Sequence, residues 1–280
     1  MADTNRQEAL RTGFIGIGNQ GGPMAMRMMG AGFPLAVWAR RPEVCENFAQ
    51  EGADIAGSIS ELGSSCDHIG LCVFSDEDVL EVCETLIPAM QEGSLLAIHS
   101  TIHPDTCEAL ERHCKQGGIL FMDAPVSGGA LAAAQGELTV MCGGSQAAFD
   151  RAMPVLESFG KLIVRLGDAG AGQRAKLLNN TLMSANMGVA RAVVAAGKAL
   201  GIDKAALAEV INQSSGRSLG FQVYAGFDTY ADFSVGTAVM VKDVGLLCSL
   251  LEGDENSALL KQVADHFLVP AAEVLREQDT

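Results

Sequence analysis

The feature that most constrains this chain is a change of pattern near Gly167. Before it, short apolar runs at 13–17, 35–38, 53–55, 68–74, 95–98, 119–123, 139–142 and 162–164 alternate with amphipathic stretches. Residues 42–50 open on Pro42, a good first-turn residue, and 76–90 and 104–116 carry apolar side chains at steps of three and four. Alternation of this kind predicts a mostly parallel, doubly wound sheet with helices on both faces. From Ala169 onward the sequence predicts helices at 173–200, 204–213, 239–251 and 257–276, and no strand. The expected fold class is therefore α/β followed by an all-helical domain. The expected domains are 1–168 and 169–280, joined by a long helix over about 173–200. Residues 177–190 of that helix contain no formal charge, which predicts burial between other elements. Gly201 is placed to end it.

Gly16-Ile-Gly18-Asn19-Gln20-Gly21 stands at the end of the first predicted strand, with a helical pattern over 23–29 behind it. In a GxGxxG turn the first glycine makes the tight bend and the second admits a pyrophosphate to the backbone. The third lets helix and strand pack, with phosphate on the helix N-terminus. Strand before and helix after make this a candidate dinucleotide site rather than a ligand-free glycine turn. The second strand, 35–38, leads to Ala39-Arg40-Arg41-Pro42, and no acid appears before Glu43. An NAD site usually places Asp or Glu there for the ribose 2′-hydroxyl, whereas guanidinium suits a 2′-phosphate. NADP is the expected cofactor and NAD the alternative. Arg41 is equally readable as a solvated loop residue.

Asp123-Ala-Pro-Val-Ser127-Gly128-Gly129 follows the sixth predicted strand. The Ser127 hydroxyl and the bare amides of Gly128 and Gly129 form a plausible carboxylate cradle that needs no net positive charge; a plain structural turn is the competing reading. Gly170-Ala-Gly172-Gln-Arg-Ala-Lys176 opens the long helix, and Lys176 and Asn180, four apart, share one of its faces. A lysine buried on such a face would have its pKa lowered and could exchange a proton near neutrality. An exposed first-turn lysine is the alternative.

Composition narrows the function classes. Nineteen Lys and Arg against 34 Asp and Glu give a net charge of −15. That disfavours a nucleic-acid binder or a protein held on anionic membranes. The eight cysteines show no CxxC or zinc-finger spacing, so no metal site is expected; they read as buried apolar side chains in a reducing, cytoplasmic setting. Residues 1–13 show no apolar signal core, and no uninterrupted apolar run reaches 18 residues, so no membrane-spanning helix is expected.

Taken together, Gly16-x-Gly18-x-x-Gly21, Ser100-Thr101-Ile102-His103-Pro104, Asp123 to Gly129, Gly170-x-Gly172-x-x-x-Lys176-x-x-Asn179-Asn180 and Lys242-Asp243 resemble the motifs of the β-hydroxyacid dehydrogenases, in the same order and over nearly the whole chain. This group contains 3-hydroxyisobutyrate dehydrogenase and 2-hydroxy-3-oxopropionate reductase. The resemblance implies a Rossmann-type domain and a helical domain. It also implies reversible oxidation of a short β-hydroxy acid, or reduction of the matching semialdehyde, with NAD or NADP. It assigns catalysis to Lys176, the substrate carboxylate to Ser127, Gly128 and Gly129, and the substrate hydroxyl to Asn180. Thr101 and Lys242 would meet the nicotinamide half, and Gly16, Gly18, Asn19, Gln20, Gly21, Arg40, Arg41, Val73 and Phe74 the rest of the cofactor. Two positions depart from the family pattern: Gln20 stands where Met is usual, and Val73-Phe74 where Leu-Pro is usual. Arg217 matches a substrate-side loop, but a solvated loop arginine is the favoured reading, and a helix N-cap is the alternative for Thr101. The expected partners are a small carboxylate substrate and a second copy of the chain, in a homodimer or homotetramer. An imine reductase and a non-catalytic dinucleotide-binding module are the alternatives.

Overall fold

The computed structural model describes residues 10–278; residues 1–9, on which part of the leader expectation falls, lie outside them. The chain divides into two compact units between Lys176 and Leu177. The first is an α/β unit with the elements β1 (Thr12–Ile15), α1 (Gly21–Gly30), β2 (Leu35–Trp38), α2 (Glu46–Gln50), β3 (Asp54–Ile55), α3 (Ile59–Ser65), β4 (His68–Leu71), α4 (Asp76–Leu86), β5 (Leu95–Ile98), α5 (Pro104–Gln116), β6 (Leu120–Asp123), β7 (Val126–Ser127), α6 (Gly129–Gln135), β8 (Leu138–Gly144), α7 (Gln146–Leu156) and β9 (Gly160–Gly167). The long helix α8 (Ala171–Ala199) follows, then α9 (Lys204–Asn212), α10 (Leu219–Ala225), α11 (Ser234–Leu250) and α12 (Glu255–Gln278).

The strands form one nine-stranded sheet that runs β3-β2-β1-β4-β5-β6 in parallel. Beyond β6 the direction reverses: β8 lies antiparallel to β6 and β7, and β9 pairs parallel to β8. This is a Rossmann-type sheet with an antiparallel extension. Strands β1, β4 and β5 are buried along their whole length, as expected where helices cover both faces. Two apolar cores result. One gathers Phe14, Met28, Val37, Leu138 and Phe159, and the other Ile15, Leu62, Ile69, Leu86 and Phe121. The helical unit has its own core around Phe267, Met187 and Val244, with Tyr224, Phe227, Tyr230 and Phe233 packed against it.

Several expectations are corrected in detail. Residues 42–50 split into a tight 3-10 turn, Pro42–Cys45, and α2. The 76–90 pattern ends as an α-helix at Leu86, because Pro88 cannot continue it, and closes as a 3-10 turn at Ile87–Ala89. Strand β4 stops at Leu71 rather than Phe74: the Val73 amide leaves the ladder and donates to Ser100 Oγ (2.8 Å). Helix α8 ends as expected, with Gly201 at φ +76°. Its uncharged stretch is not buried all round, however. Leu177, Asn180, Ser184 and Met187 are buried, while Leu178, Leu182 and Val189 form a stripe about half exposed. The stretch Tyr230–Leu250 is long and apolar enough, by length and composition, to cross a membrane, contrary to the expectation drawn from uninterrupted apolar runs. It holds the fully buried Asp243, paired with Lys242, and contributes Val244 and Leu247 to the buried interior.

Candidate active site

The turn after β1 has the geometry a dinucleotide requires. Gly16 has φ +88°, and a Cβ there would overlap the Cys72 carbonyl; a Cβ at Gly21 would overlap the Gly16 carbonyl. Gly18, by contrast, faces open space, with nothing within 4 Å of an added Cβ. The first and third glycines are thus fixed by packing and the second leaves the approach that a pyrophosphate needs. Asn19 is exposed, and the buried Gln20 Nε2 has no hydrogen-bond partner in the structure, a donor available to a ligand. A groove of about 300 Å³ runs from this turn between the ends of β2 and β4, bordered by Gly18, Ala39, Arg40, Arg41, Val73 and Phe74. These residues fit the diphosphate and adenosine half of a dinucleotide.

The Ser127-Gly128-Gly129 segment lies where β7 gives way to α6. Ser127 is half-buried and Gly128 and Gly129 are exposed. Gly128 has φ +136°, and a Cβ on it would press on Ala132, whereas Gly129 faces open space. The sequence Ser-Gly-Gly therefore places one hydroxyl and two amides on residues that are half-buried or exposed.

Lys176 lies in the second turn of α8 and is 9% exposed. Its ammonium lies near enough to Cys72, at the end of β4, to lower that thiol's pKa, although burial dominates and pushes the thiol up to about 12. The lysine is therefore within electrostatic reach of the strand end that packs on Gly16. Two buried side chains fix this part of the helix. Asp123, at the end of β6, accepts the amides of Gly170 (2.7 Å) and Gln173 (2.8 Å). Burial raises its pKa to about 6 despite these bonds. Gln173 is fully buried; its Nε2 donates to the Ser100 carbonyl (2.9 Å) and its Oε1 accepts the Ile102 amide (3.1 Å). Thr101 is thereby held between two neighbours anchored by Gln173, which lies three residues before Lys176 on the helix. Thr101 is not the cap of α5: His103 is, accepting the Asp105 amide.

In the helical unit, Asn180 Nδ2 donates to Asp243 (2.6 Å), and Lys242 Nζ donates to the other oxygen of Asp243 (2.7 Å). This fixes the Asn180 amide with its oxygen turned away from Asp243. Arg217 falls in the turn before α10, where it is exposed. Among the described residues no group of three His, Cys, Asp or Glu side chains is placed to hold a metal ion.

Five contributors were missed from the sequence. Asp123 and Gln173 stood inside quoted motifs, and the polar Gln three residues before Lys176 on an apolar helix face was a usable signal. Asp243 stood next to Lys242 and drew no role. The partners of Arg40 had no local signal: its guanidinium pairs with Asp78 (3.0 Å) and Glu81 (2.7 Å) of α4.

The chain matches two family models end to end. Residues 11–167 match the NAD binding domain of 6-phosphogluconate dehydrogenase, and residues 170–280 match the NAD-binding domain of NADP-dependent 3-hydroxyisobutyrate dehydrogenase. The chain belongs to the β-hydroxyacid dehydrogenase family. Among relatives, it is 35% identical over 264 residues to the mitochondrial 3-hydroxyisobutyrate dehydrogenase of Mus musculus, covering 90% of this chain and 79% of that one. It is 37% identical over 241 residues to the L-threonate dehydrogenase of Cupriavidus necator, covering 84% and 81%. Among solved structures, the 3-hydroxyisobutyrate dehydrogenase of Mycobacterium tuberculosis with L-serine superposes with TM-score 0.83 at 26% identity, covering 95% of this chain and 94% of that one. An imine reductase from Pseudomonas sp. shares the fold alone, at 18% identity and TM-score 0.56 over 94% of this chain and 93% of that one. As a member of the β-hydroxyacid dehydrogenases, the chain is an NAD(P)-dependent hydroxyacid dehydrogenase with a Rossmann-type nucleotide-binding domain.

Proposed function

We propose that this enzyme transfers a hydride between NADP(H) and a short β-hydroxy acid or the matching semialdehyde, with Lys176 as general acid and base. One observation carries the proposal: a lysine buried to 9% exposure, in a helix whose first turn is anchored by Asp123 and Gln173, within electrostatic reach of the strand end that packs on Gly16. Bound nicotinamide supplies the hydride acceptor in oxidation and the donor in reduction. The Lys176 amine takes the hydroxyl proton in oxidation, and its ammonium returns a proton to the forming alkoxide in reduction. Help of this kind contributes roughly 10²–10⁴ in rate. The Ser127 hydroxyl and the Gly128 and Gly129 amides hold the substrate carboxylate, and the Asn180 side chain contacts the substrate hydroxyl oxygen, whose proton goes to Lys176. Thr101 and Lys242 meet the nicotinamide half. Gly16, Gly18, Asn19, Gln20, Gly21, Val73 and Phe74 hold the remainder, with Arg40 and Arg41 at the 2′-phosphate.

The relatives' names mark the substrate class: four-carbon hydroxy acids such as 3-hydroxyisobutyrate and L-threonate. We place the enzyme in the cytoplasm, where eight unpaired cysteines stay reduced; the mouse relative's name makes mitochondria the alternative. The exposed stripe Leu178, Leu182 and Val189 supports a homodimer or homotetramer.

The test is turnover of NADPH and NADH with a panel of semialdehydes, β-keto acids and cyclic imines. Lys176→Ala is expected to bind cofactor normally and lose at least 10²-fold in kcat. Full turnover in that variant removes the mechanism, and turnover of imines alone reassigns the chemistry. Arg40→Ala is expected to raise the KM for NADPH far more than that for NADH; equal effects overturn the NADP assignment.

A further inference from the structure

The ends of the Arg40 guanidinium are both occupied. Nη1 meets Asp78 at 3.0 Å and Nη2 meets Glu81 at 2.7 Å. The two carboxylates are not equivalent. Asp78 is 27% exposed, and its other oxygen is engaged by the amide and hydroxyl of Ser75 in the capping box that starts α4. It is tied to the helix start. Glu81 lies one turn further along, is 70% exposed, and among the described residues its one hydrogen bond is to Arg40. Arg40 stands two residues past the end of β2 and borders the same groove as Gly16 and Gly18. In a doubly wound nucleotide site that is the position facing the 2′ oxygen of the adenosine ribose. A phosphate needs two parallel N–H groups for its best hold on a guanidinium, and here the second group is already taken.

Building on the cofactor reading above, we propose that Glu81 is an exchangeable counter-ion that sets selectivity at the 2′ position. Asp78 holds Arg40 in place, and Glu81 occupies the guanidinium edge that a 2′-phosphate must displace. An exposed ion pair is worth at most about 1 kcal/mol, so a dianionic phosphate outcompetes one carboxylate, but with a reduced net gain. A plain ribose hydroxyl leaves Glu81 in place and is unaffected. Glu81 thus narrows the gap between 2′-phosphorylated and unphosphorylated dinucleotides, which Arg40 alone would widen.

The chain contains one tryptophan, Trp38, and it borders this groove. Its fluorescence reports binding without any turnover. The full chain is titrated with adenosine 2′,5′-bisphosphate and with AMP, in the wild type, Glu81→Gln, Arg40→Ala and the double variant. Glu81→Gln is expected to tighten the bisphosphate about fivefold, the upper end for an exposed pair, and to leave AMP unchanged. On the Arg40→Ala background the same substitution is expected to change the bisphosphate less than about twofold. An unchanged or weakened bisphosphate affinity in Glu81→Gln, with AMP still binding, overturns the role of Glu81 and leaves the cofactor reading standing. No binding of either nucleotide to any variant overturns the cofactor reading and this inference with it.

Discussion

Two histidines in the sheet make acid lability the sharpest expectation for the α/β unit. His68 opens β4 and is 1% exposed, with neither ring nitrogen hydrogen-bonded. His99 follows β5, stacks on Phe14, meets Phe159 edge-on, and pairs Nδ1 with the Ala124 carbonyl (2.8 Å). Burial, joined by the charges of His99 and Arg151, lowers the pKa of His68 to about 3; burial lowers that of His99 to about 4. Both rings stay neutral in the fold while the unfolded chain protonates them near pH 6.5. Stability is therefore retained above that pH and lost as pH falls below it. From pH 7 to pH 5 each histidine removes about 2 kcal/mol, from the linkage of an unfolded pKa near 6.5. Asp123 acts in the opposite sense. Its pKa is raised to about 6 in the fold, so protonation relieves it as pH falls and returns about 1 kcal/mol over the same interval. From these three groups the net loss is about 2 to 3 kcal/mol. Urea unfolding of the wild type and His68→Leu, followed by Trp38 emission at pH 7 and pH 5, measures it. The variant is expected to lose about 2 kcal/mol less between the two pH values than the wild type. An equal loss in both proteins refutes a neutral His68 as a source of acid lability, whatever the substitution does to stability at pH 7.

Two further substitutions probe other features. Gln173→Leu leaves the Ser100 carbonyl and the Ile102 amide without their buried partner, an expected cost of about 2 to 4 kcal/mol in urea unfolding. With Lys176 anchored through the same turn, kcat is expected to fall more than the KM for cofactor; a fall in stability with unchanged kcat would make Gln173 purely structural. Leu182→Arg places a charge in the exposed stripe of α8 and is expected to shift the mass in light scattering toward the monomer; an unchanged oligomer shows that the stripe is not the interface.

The extent to which the chain was readable follows from where each determinant lies. Strands β2 and β5 and helix α5 agree residue for residue with their apolar pattern, because each is bracketed by local turn chemistry such as Pro104. Strand β7 has two residues and exists only through its pairing with β8, so no window on the sequence contains it. The Gly16–Gly21 turn was legible because glycine's lack of a side chain is itself the signal, and the Ser127–Gly129 segment falls at a strand-to-helix turn as its glycines require. The anchors were not, since Asp123 lies 47 and 50 residues from the amides it accepts and Arg40 lies 41 residues from Glu81. The half-exposed stripe on α8 was misjudged because lack of charge was equated with cover inside one chain.

The thiols carry a practical consequence. None of the eight is paired, six are buried, and burial drives Cys83, Cys114 and Cys142 up to about 12. While folded, these groups hold almost no thiolate and are poor targets for alkylating reagents or peroxide. Once the chain opens, eight sulfurs of ordinary acidity meet solvent together. In air, crosslinking between molecules then competes with refolding, so heat or acid damage that is reversible under reductant becomes permanent without it.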